Sequence, residues 1–166
     1  MRRVGLSLLL VLLALAGCGR SDGGAAPPPT TAAGPLLAFT ATTLDGAPFD
    51  GMALAGRPVA LWFWAPWCPI CLQQAPGVRD AVAEYGDKVA IIGVAGLDKT
   101  AAMPEFVRLA KVQAMTHLAD EAGVIWKRFG VASQSIFVLL DADGQITFKG
   151  RLDAEDVPGR IAGLLG

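Results

Sequence analysis

Three apolar runs stand out along the chain, at residues 59–64, 89–94 and 136–140. Each consists largely of aliphatic and aromatic residues, without the polar alternation that marks a half-exposed strand. Runs of this length and composition are typical of strands buried on both faces. The pattern therefore predicts three central strands of one sheet. A weaker alternation over residues 39–44 adds an edge strand or one arm of a hairpin.

A helical periodicity follows the first apolar run. Charged residues and the glutamines Gln73 and Gln74 fall largely on one side, and the apolar positions at spacings of three and four are Cys71, Ala75, Val78, Val82 and Tyr85. This spacing predicts an amphipathic helix. Pro76 lies inside it and is expected to kink it, because proline removes one backbone hydrogen bond.

Weaker signals complete the order of elements. They predict helices over about residues 100–111 and 121–129, and a turn at 141–144 that leads into an antiparallel strand at 145–149. A last helix is predicted with Ile161, Leu164 and Leu165 on its inner face. Its cap is predicted to be Asp153 or Asp156. Two βα units followed by an antiparallel pair predict an α/β domain, with a central mixed sheet and helices on both faces.

The N-terminal segment has the pattern of an export signal. Arg2 and Arg3 precede an apolar run at residues 4–16, which is too short to span a bilayer comfortably. The following Leu15-Ala16-Gly17-Cys18 resembles a bacterial lipobox, which implies cleavage after residue 17 and a lipid on Cys18. Such a lipid would anchor the protein to the outer face of the cell membrane without a spanning helix. An ordinary signal peptide with a chance cysteine is the alternative.

Composition separates the export signal, residues 1–17, from the rest of the chain. Residues 18–35 are rich in Gly, Ala, Pro and Thr, and we interpret them as a flexible tether to a domain over residues 36–166. Loss of the signal takes two of the 14 basic residues, which leaves 12 against 15 acidic ones and a net charge of −3. This mild acidity offers no basic footprint for nucleic acid.

Cys68 and Cys71 lie where the first buried run meets the amphipathic helix. Residues three apart at a helix start face the same way, so their Cα atoms should lie about 5–6 Å apart, within reach of a disulfide. Pro69 suits the first helical position, and the free N–H groups of the helix start favour a thiolate at Cys68. Cys68 is also nearer the solvent end of the junction. We therefore predict Cys68 as the nucleophile and Cys71 as the resolving thiol of thiol–disulfide exchange.

Two other uses of the cysteine pair have less support. A disulfide that closes a four-residue loop constrains little of the unfolded chain, so a purely structural staple would stabilise poorly. A zinc site needs further ligands, and the sequence has one histidine, His117, a type more often found at the surface or satisfied in a core. We therefore predict no metal and no cofactor.

The run Trp67-Cys68-Pro69-Ile70-Cys71, after a buried strand and before a helix with Pro76, resembles the active-site segment of the thioredoxin fold. With the export signal and residues 137–144, it is similar to the extracytoplasmic TlpA/ResA/DsbE branch, and within that branch to DsbF-like secreted or lipid-anchored proteins of actinobacteria. The resemblance implies a three-layer sandwich and thiol–disulfide oxidoreductase activity on cysteine pairs of exported proteins. It also implies a membrane redox partner that recycles the disulfide.

Three positions depart from these relatives. Many of them carry a cis-proline in the loop that faces the cysteines, where this sequence has Ser135. Their backbone beside that proline pairs with substrate, which implies substrate contacts for Gln134 and Ser135. We predict a trans Gln134–Ser135 bond, or a cis bond at a strain of about 2.5–4 kcal/mol. Trp62 stands where thioredoxin has an acid, and Gln74 where ResA-like proteins often have one.

The neutral residues Trp62 and Gln74 cannot pass a proton to Cys71, and each removes a negative charge near the thiolate. A lower thiolate pKa favours the reduced pair and makes the enzyme more oxidising. We therefore predict an oxidase of exported proteins. Trp67 either offers the client an apolar platform or packs into the core.

Other functions remain as alternatives. A reductase of apocytochrome c or of other exported disulfides uses the same fold. A copper metallochaperone is disfavoured, because copper-delivering relatives place an extra residue between their cysteines and add a nearby histidine. A peroxidase ranks last, because Ala65 stands where that chemistry needs a hydroxyl residue.

Overall fold

Seven strands form one mixed sheet in the computed structural model, which describes residues 35–166. The strands are β1 (Thr40–Thr43), β2 (Pro48–Asp50), β3 (Val59–Trp64), β4 (Ala90–Ala95), β5 (Thr116–Ala119), β6 (Ile136–Leu140) and β7 (Ile146–Gly150). The helices are α1 (Pro69–Tyr85), α2 (Met103–Ala110), α3 (Val124–Arg128) and α4 (Asp156–Ala162). The predictions for residues 1–17, Cys18 and almost all of the tether lie outside the described residues.

The strand order β2-β1-β5-β4-β3-β6-β7 puts β3 in the interior of the sheet, between β4 and β6. It runs parallel to β4 and antiparallel to β6, and all six of its residues are buried. Phe63, near the carboxyl end of β3, pairs with Ile136 at the start of β6. The segment that follows β3 therefore lies beside the loop that precedes β6, and these two segments carry the site described below.

Alternate residues of β3 enter two separate apolar layers. Trp62 and Trp64 pack in the layer that α1, α2 and α4 cover. Leu61 and Phe63 pack on the opposite face, against α3 and the segment around Phe39. The three-layer α/β sandwich with helices on both faces of a mixed sheet is confirmed, and a strand buried on both faces explains why its sequence shows no polar alternation.

The close approach of α1 and α4 depends on a glycine. A Cβ at Gly77 in α1 would lie 1.9 Å from the carbonyl oxygen of Ala154, just before α4. Pro76 lies within α1, as predicted, and the helix continues through it to Tyr85. No helix within residues 35–166 is long and apolar enough to cross a membrane.

The three central strands and the returning strand lie within a residue of their predicted bounds. The predicted β1 is a hairpin arm rather than an edge, because β2 and β5 pair with it on either side. We did not predict β2 or β5. Both are short, and the Thr116-His117-Leu118-Ala119 sequence of β5 has no clear period.

Some side-chain predictions for the helices were wrong. Gln74 is buried rather than on the polar side of α1, because its amide has partners in the core. Neither Asp153 nor Asp156 caps α4, since Glu155 occupies the N-cap position and makes no side-chain cap. Ile161 is buried as predicted, but Leu165 lies in the last turn and is 41% exposed.

Candidate active site

Cys68 and Cys71 are held at the junction between β3 and α1. Cys68 is the N-cap residue of α1, in an extended conformation, and Pro69 takes the first helical turn. The Cys68 N–H donates to the carbonyl of Ala65, and the Cys71 N–H donates to Cys68 Sγ at 2.9 Å. Cys68 Sγ therefore accepts one of the free donors that every helix start presents, an arrangement that favours negative charge on this sulfur.

The two cysteines form a disulfide, with Cα atoms 5.3 Å apart as the spacing predicted. In this oxidised state Cys68 is 1% exposed and Cys71 0%. The expected greater exposure of Cys68 is therefore not seen. The asymmetry between the sulfurs lies instead in the backbone hydrogen bond that Cys68 Sγ accepts.

Ser135 lies directly against both sulfurs. Its Oγ is 3.2 Å from Cys68 Sγ and 3.3 Å from Cys71 Sγ, and the residue is fully buried. The Gln134–Ser135 bond is trans, the first of the two alternatives left open above, as is every other peptide bond within residues 35–166. Ser135 has a φ of +67°, a left-handed conformation that serine adopts rarely. Its N–H donates to the carbonyl of Phe63 at 2.8 Å, which ties the loop to the end of β3.

The three positions that depart from relatives belong to one hydrogen-bonded network. The indole N–H of Trp62 donates to Gln74 Oε1 at 2.9 Å. Gln74 Nε2 donates to the carbonyls of Ser135 at 3.1 Å and Leu152 at 2.8 Å. Because a carboxylate can only accept, it could not replace this amide without leaving two carbonyls facing a negative charge. No sequence signal marked the burial of Gln74, because its partners are distant in sequence.

An exposed apolar rim lies beside the disulfide. Trp67 is 54% exposed, which excludes the core-packing alternative, whereas Trp62 and Trp64 are fully buried. The Trp67 indole N–H donates to the carbonyl of Leu97 at 3.3 Å, and Leu97 is itself 47% exposed. Sequence reasoning did not select Leu97. A single leucine in a loop carries no local signal, and only the hydrogen bond to Trp67 identifies it.

His117 is a satisfied core residue, the more common alternative for a lone histidine. Its Nε2 donates to the carbonyl of Val112 at 2.9 Å, which leaves Nδ1 to accept from the Trp64 indole N–H at 3.3 Å. Burial lowers the pKa of His117 below its ordinary value, although the bond to Val112 opposes the shift. The part of the chain from residue 35 onward contains no cluster of three or more His, Cys, Asp or Glu side chains that could hold a metal ion.

One groove in the described structure lies away from the disulfide. It has a volume of about 790 Å³ and lies between the β1–β2 turn, α2 and the segment before β5. Neither cysteine lines it. The cysteine pair lies instead beside Trp67 and the loop before β6.

Comparisons with known proteins give relatives that cover most of the chain. Residues 33–149 match the AhpC/TSA family. The soluble secreted antigen MPT53 of Mycobacterium tuberculosis is 43% identical over 137 residues, which cover 80% of this chain and 78% of the antigen.

Solved structures give the same result. MTB DsbF, solved in mixed oxidised and reduced forms, has a TM-score of 0.73 and 42% identity over 78% of this chain and 96% of its own. A secreted M. tuberculosis disulfide oxidoreductase homologous to E. coli DsbE has a TM-score of 0.70 and 41% identity, covering 77% of this chain and 97% of its own.

Proposed function

Because the chain belongs to the AhpC/TSA family and is a thiol–disulfide oxidoreductase of the DsbE/DsbF type, we propose that it oxidises cysteine pairs of exported proteins. Cys68 forms the mixed disulfide with the client. Cys71 is its partner thiol, which leaves in the first step and acts as the resolving thiol when the exchange runs in the reducing direction. The observation that carries this assignment is the position of Cys68 at the N-cap of α1, where its sulfur accepts the Cys71 N–H.

The exchange proceeds in two displacements. A client thiolate attacks Cys68 Sγ, a client–Cys68 disulfide forms, and Cys71 leaves as a thiolate. The second client thiolate attacks the client sulfur of that bond, and Cys68 leaves. The client loses two electrons and the enzyme disulfide gains them. One of the two client thiol protons goes to Cys71, and the other goes to solvent while Cys68 stays a thiolate.

The neutral surroundings of the sulfurs support the oxidising direction. The two positions that carry acids in relatives hold Trp62 and Gln74, which bond to each other. With no negative charge at these positions, the thiolate of the reduced enzyme is stabilised, and a pair with a stable reduced form is a stronger oxidant. A measured potential at or below about −270 mV, that of thioredoxin, would contradict the oxidase assignment.

Client binding is proposed at Trp67 and at the loop before β6. Trp67 supplies exposed apolar surface next to Cys68. No hydrogen bond to the peptide group of Gln134 is found within residues 35–166, so its N–H and C=O are open to an extended client chain. The Ser135 N–H already donates to the Phe63 carbonyl, and the Ser135 carbonyl already accepts a hydrogen bond from Gln74 Nε2. The client backbone therefore pairs with Gln134, and Ser135 contacts the reacting sulfurs.

The N-terminal proposal is a lipid anchor on Cys18 after export, with residues 18–35 as the tether and a membrane protein that accepts two electrons as the recycling partner. The lipobox-like Leu15-Ala16-Gly17-Cys18 supports it. Labelled fatty acid should enter the wild-type chain and not a Cys18→Ala variant when each is expressed with its full signal. Release of unlabelled wild-type protein into the medium would contradict the lipid anchor and indicate secretion instead, as for the soluble secreted relative.

The decisive experiment is refolding of a reduced client with several cysteines. Wild-type oxidised protein should restore client activity, and Cys68→Ser and Cys71→Ser should each abolish catalysis. Client oxidation that persists in both variants overturns the proposal. Reduction of a preformed client disulfide, with no oxidation, would assign the reductase function instead. Competitive Cu(I) binding by the reduced protein would favour the metallochaperone.

A further inference from the structure

Ser135 is placed to act on both steps of the exchange. We propose that its hydroxyl donates a hydrogen bond first to the Cys71 thiolate and then to the Cys68 thiolate, as each leaves in turn. This inference rests on the proposed function, because it assigns a catalytic role within the same exchange. It goes beyond the substrate contact that the resemblance implies, and it gives Trp62 and Gln74 a role as positioning residues.

The direction of the Ser135 hydrogen bonds follows from the state of the sulfurs. A disulfide sulfur carries no proton, so in the contacts at 3.2 Å to Cys68 and 3.3 Å to Cys71 the hydroxyl is the donor. The two distances are nearly equal, so rotation of one O–H bond redirects it between the sulfurs. Within the described residues, no other side chain hydrogen-bonds to either sulfur.

The backbone at Ser135 indicates that the side chain is needed there. A φ of +67° suits glycine and costs an ordinary L-residue about 1–2 kcal/mol, yet the position holds a residue with a Cβ. Strain of this kind persists when surrounding contacts determine the conformation. Here the N–H bond to Phe63 and the carbonyl bond from Gln74 fix both sides of the residue.

Gln74 and Trp62 hold Ser135 without taking part in proton transfer. The Trp62 indole can only donate, so it fixes the oxygen of the Gln74 amide toward itself and turns the NH₂ toward the carbonyls of Ser135 and Leu152. Gln74 is 1% exposed, and both polar atoms of its side chain, Oε1 and Nε2, have hydrogen-bond partners. The orientation of the amide, and with it the position of the Ser135 carbonyl, is thus determined by the indole.

The hydroxyl keeps its own proton throughout. When the client thiolate attacks Cys68 Sγ, the negative charge of the broken bond develops on Cys71, 3.3 Å from Ser135 Oγ. After Cys71 has taken a client proton, the second displacement develops charge on Cys68, 3.2 Å away. A hydrogen bond to a charged acceptor is stronger than one to a neutral acceptor, so the hydroxyl stabilises each leaving thiolate more than the disulfide itself.

The test compares Ser135→Ala and Ser135→Gly with Ser133→Ala, which removes an exposed hydroxyl from the same loop. Both Ser135 variants lack the hydroxyl, but only Ala retains the strain at positive φ. The readouts are the pH dependence of thiolate absorbance in the reduced protein and the equilibrium with a glutathione buffer. We expect both Ser135 variants to raise the pKa of the Cys68 thiol and to lower the equilibrium constant for client oxidation about tenfold, or about 30 mV.

The outcomes separate this inference from the proposed function. Equal shifts in Ser135→Ala and Ser135→Gly, with none in Ser133→Ala, support the hydroxyl as the donor. Unchanged values in folded Ser135→Ala, or shifts of opposite sign in the two variants, overturn it, because backbone strain would then explain any effect. If the cysteine variants still oxidise the client, the proposed function fails. If they lose activity while Ser135→Ala behaves as wild type, this inference alone fails.

Discussion

Trp62 and Trp64 occupy alternate positions of β3 on one face of the sheet, and both are fully buried. Each donates its indole N–H to a buried polar side chain, Trp62 to Gln74 and Trp64 to His117. The Gln74 partner joins the loop beside the sulfurs and cannot ionise. The His117 partner titrates and makes no contact with the sulfurs. Of the two pairs, Trp64–His117 therefore couples the stability of the fold to pH. The Trp62–Gln74 pair keeps the polar surroundings of the disulfide fixed.

The largest effect is expected from Gly93→Ala, which disrupts the packing of the Trp64–His117 pair. A Cβ at Gly93 would lie 2.2 Å from His117 Nδ1 and 2.8 Å from Trp64 Nε1. Because both neighbours are packed in the core, we expect a loss of about 3 kcal/mol in unfolding free energy. Denaturant unfolding of the oxidised protein measures it. Gly159→Ala in α4 is the control, since no atom lies within 4 Å of its added Cβ, and a loss in it as large would contradict the local explanation.

The second prediction concerns the Trp62–Gln74 pair, whose polar partner cannot ionise. Gln74→Glu places a carboxyl group against the carbonyls of Ser135 and Leu152, and we expect it to cost about 2 kcal/mol of stability near neutral pH. The loss should shrink as the pH falls and the buried carboxyl takes up a proton, because its pKa is raised in the folded state. The exposed Gln73→Glu is the matched control and should change stability by less than about 0.5 kcal/mol. Equal losses in the two variants would refute the role of the buried amide.

The third prediction compares Trp62→Phe and Trp64→Phe directly. Each removes an indole donor and leaves a buried acceptor unpaired, so each should lower the unfolding free energy by about 1–3 kcal/mol. The Cys68–Cys71 equilibrium with glutathione should change in Trp62→Phe, because the Gln74 amide is then free to turn away from Ser135. It should not change in Trp64→Phe. An equal redox shift in both variants would show that the two pairs are not separate.

The smallest effect is the pH dependence carried by His117. Burial lowers the folded-state pKa of His117, so the unfolded chain binds its proton first. Its contribution is fully present above the unfolded pKa of about 6.5 and is lost as the pH falls below it, by at most about 1.4 kcal/mol per pH unit. Thermal unfolding between neutral and mildly acidic pH measures the slope. A His117→Gln variant should lose that part of it, and an unchanged slope would assign the acid sensitivity to other groups.

Local pattern was sufficient for the centre of this fold and for the reactive pair. Strands β3, β4 and β6 are continuous apolar runs, and such runs mark fully buried strands without any tertiary information. Cys68, Pro69 and Cys71 lie within four residues, so helix geometry alone predicts their spacing. The strand β5 has four residues of mixed character and depends on pairing with β1 and β4, which no local window contains.

The surroundings of the sulfurs could not be derived in the same way. The resemblance to known relatives identified Trp62, Gln74 and Ser135 as three separate departures. Their contact depends on partners far along the chain, such as Leu152, 78 residues beyond Gln74. The left-handed backbone of Ser135 also has no local signal, since serine does not favour it. Polar contacts between distant segments are where the sequence alone predicted least.

The link between Trp62, Gln74 and Ser135 has a consequence for how the protein evolves. A proline at position 135 would delete the N–H that binds Phe63, and an acid at position 74 would face two carbonyls. Changing position 74 or position 135 alone to the residue found in relatives therefore removes hydrogen bonds of the present network. We expect strong epistasis among the three positions. Lineages that move between the two kinds of redox site would have to change them as a set.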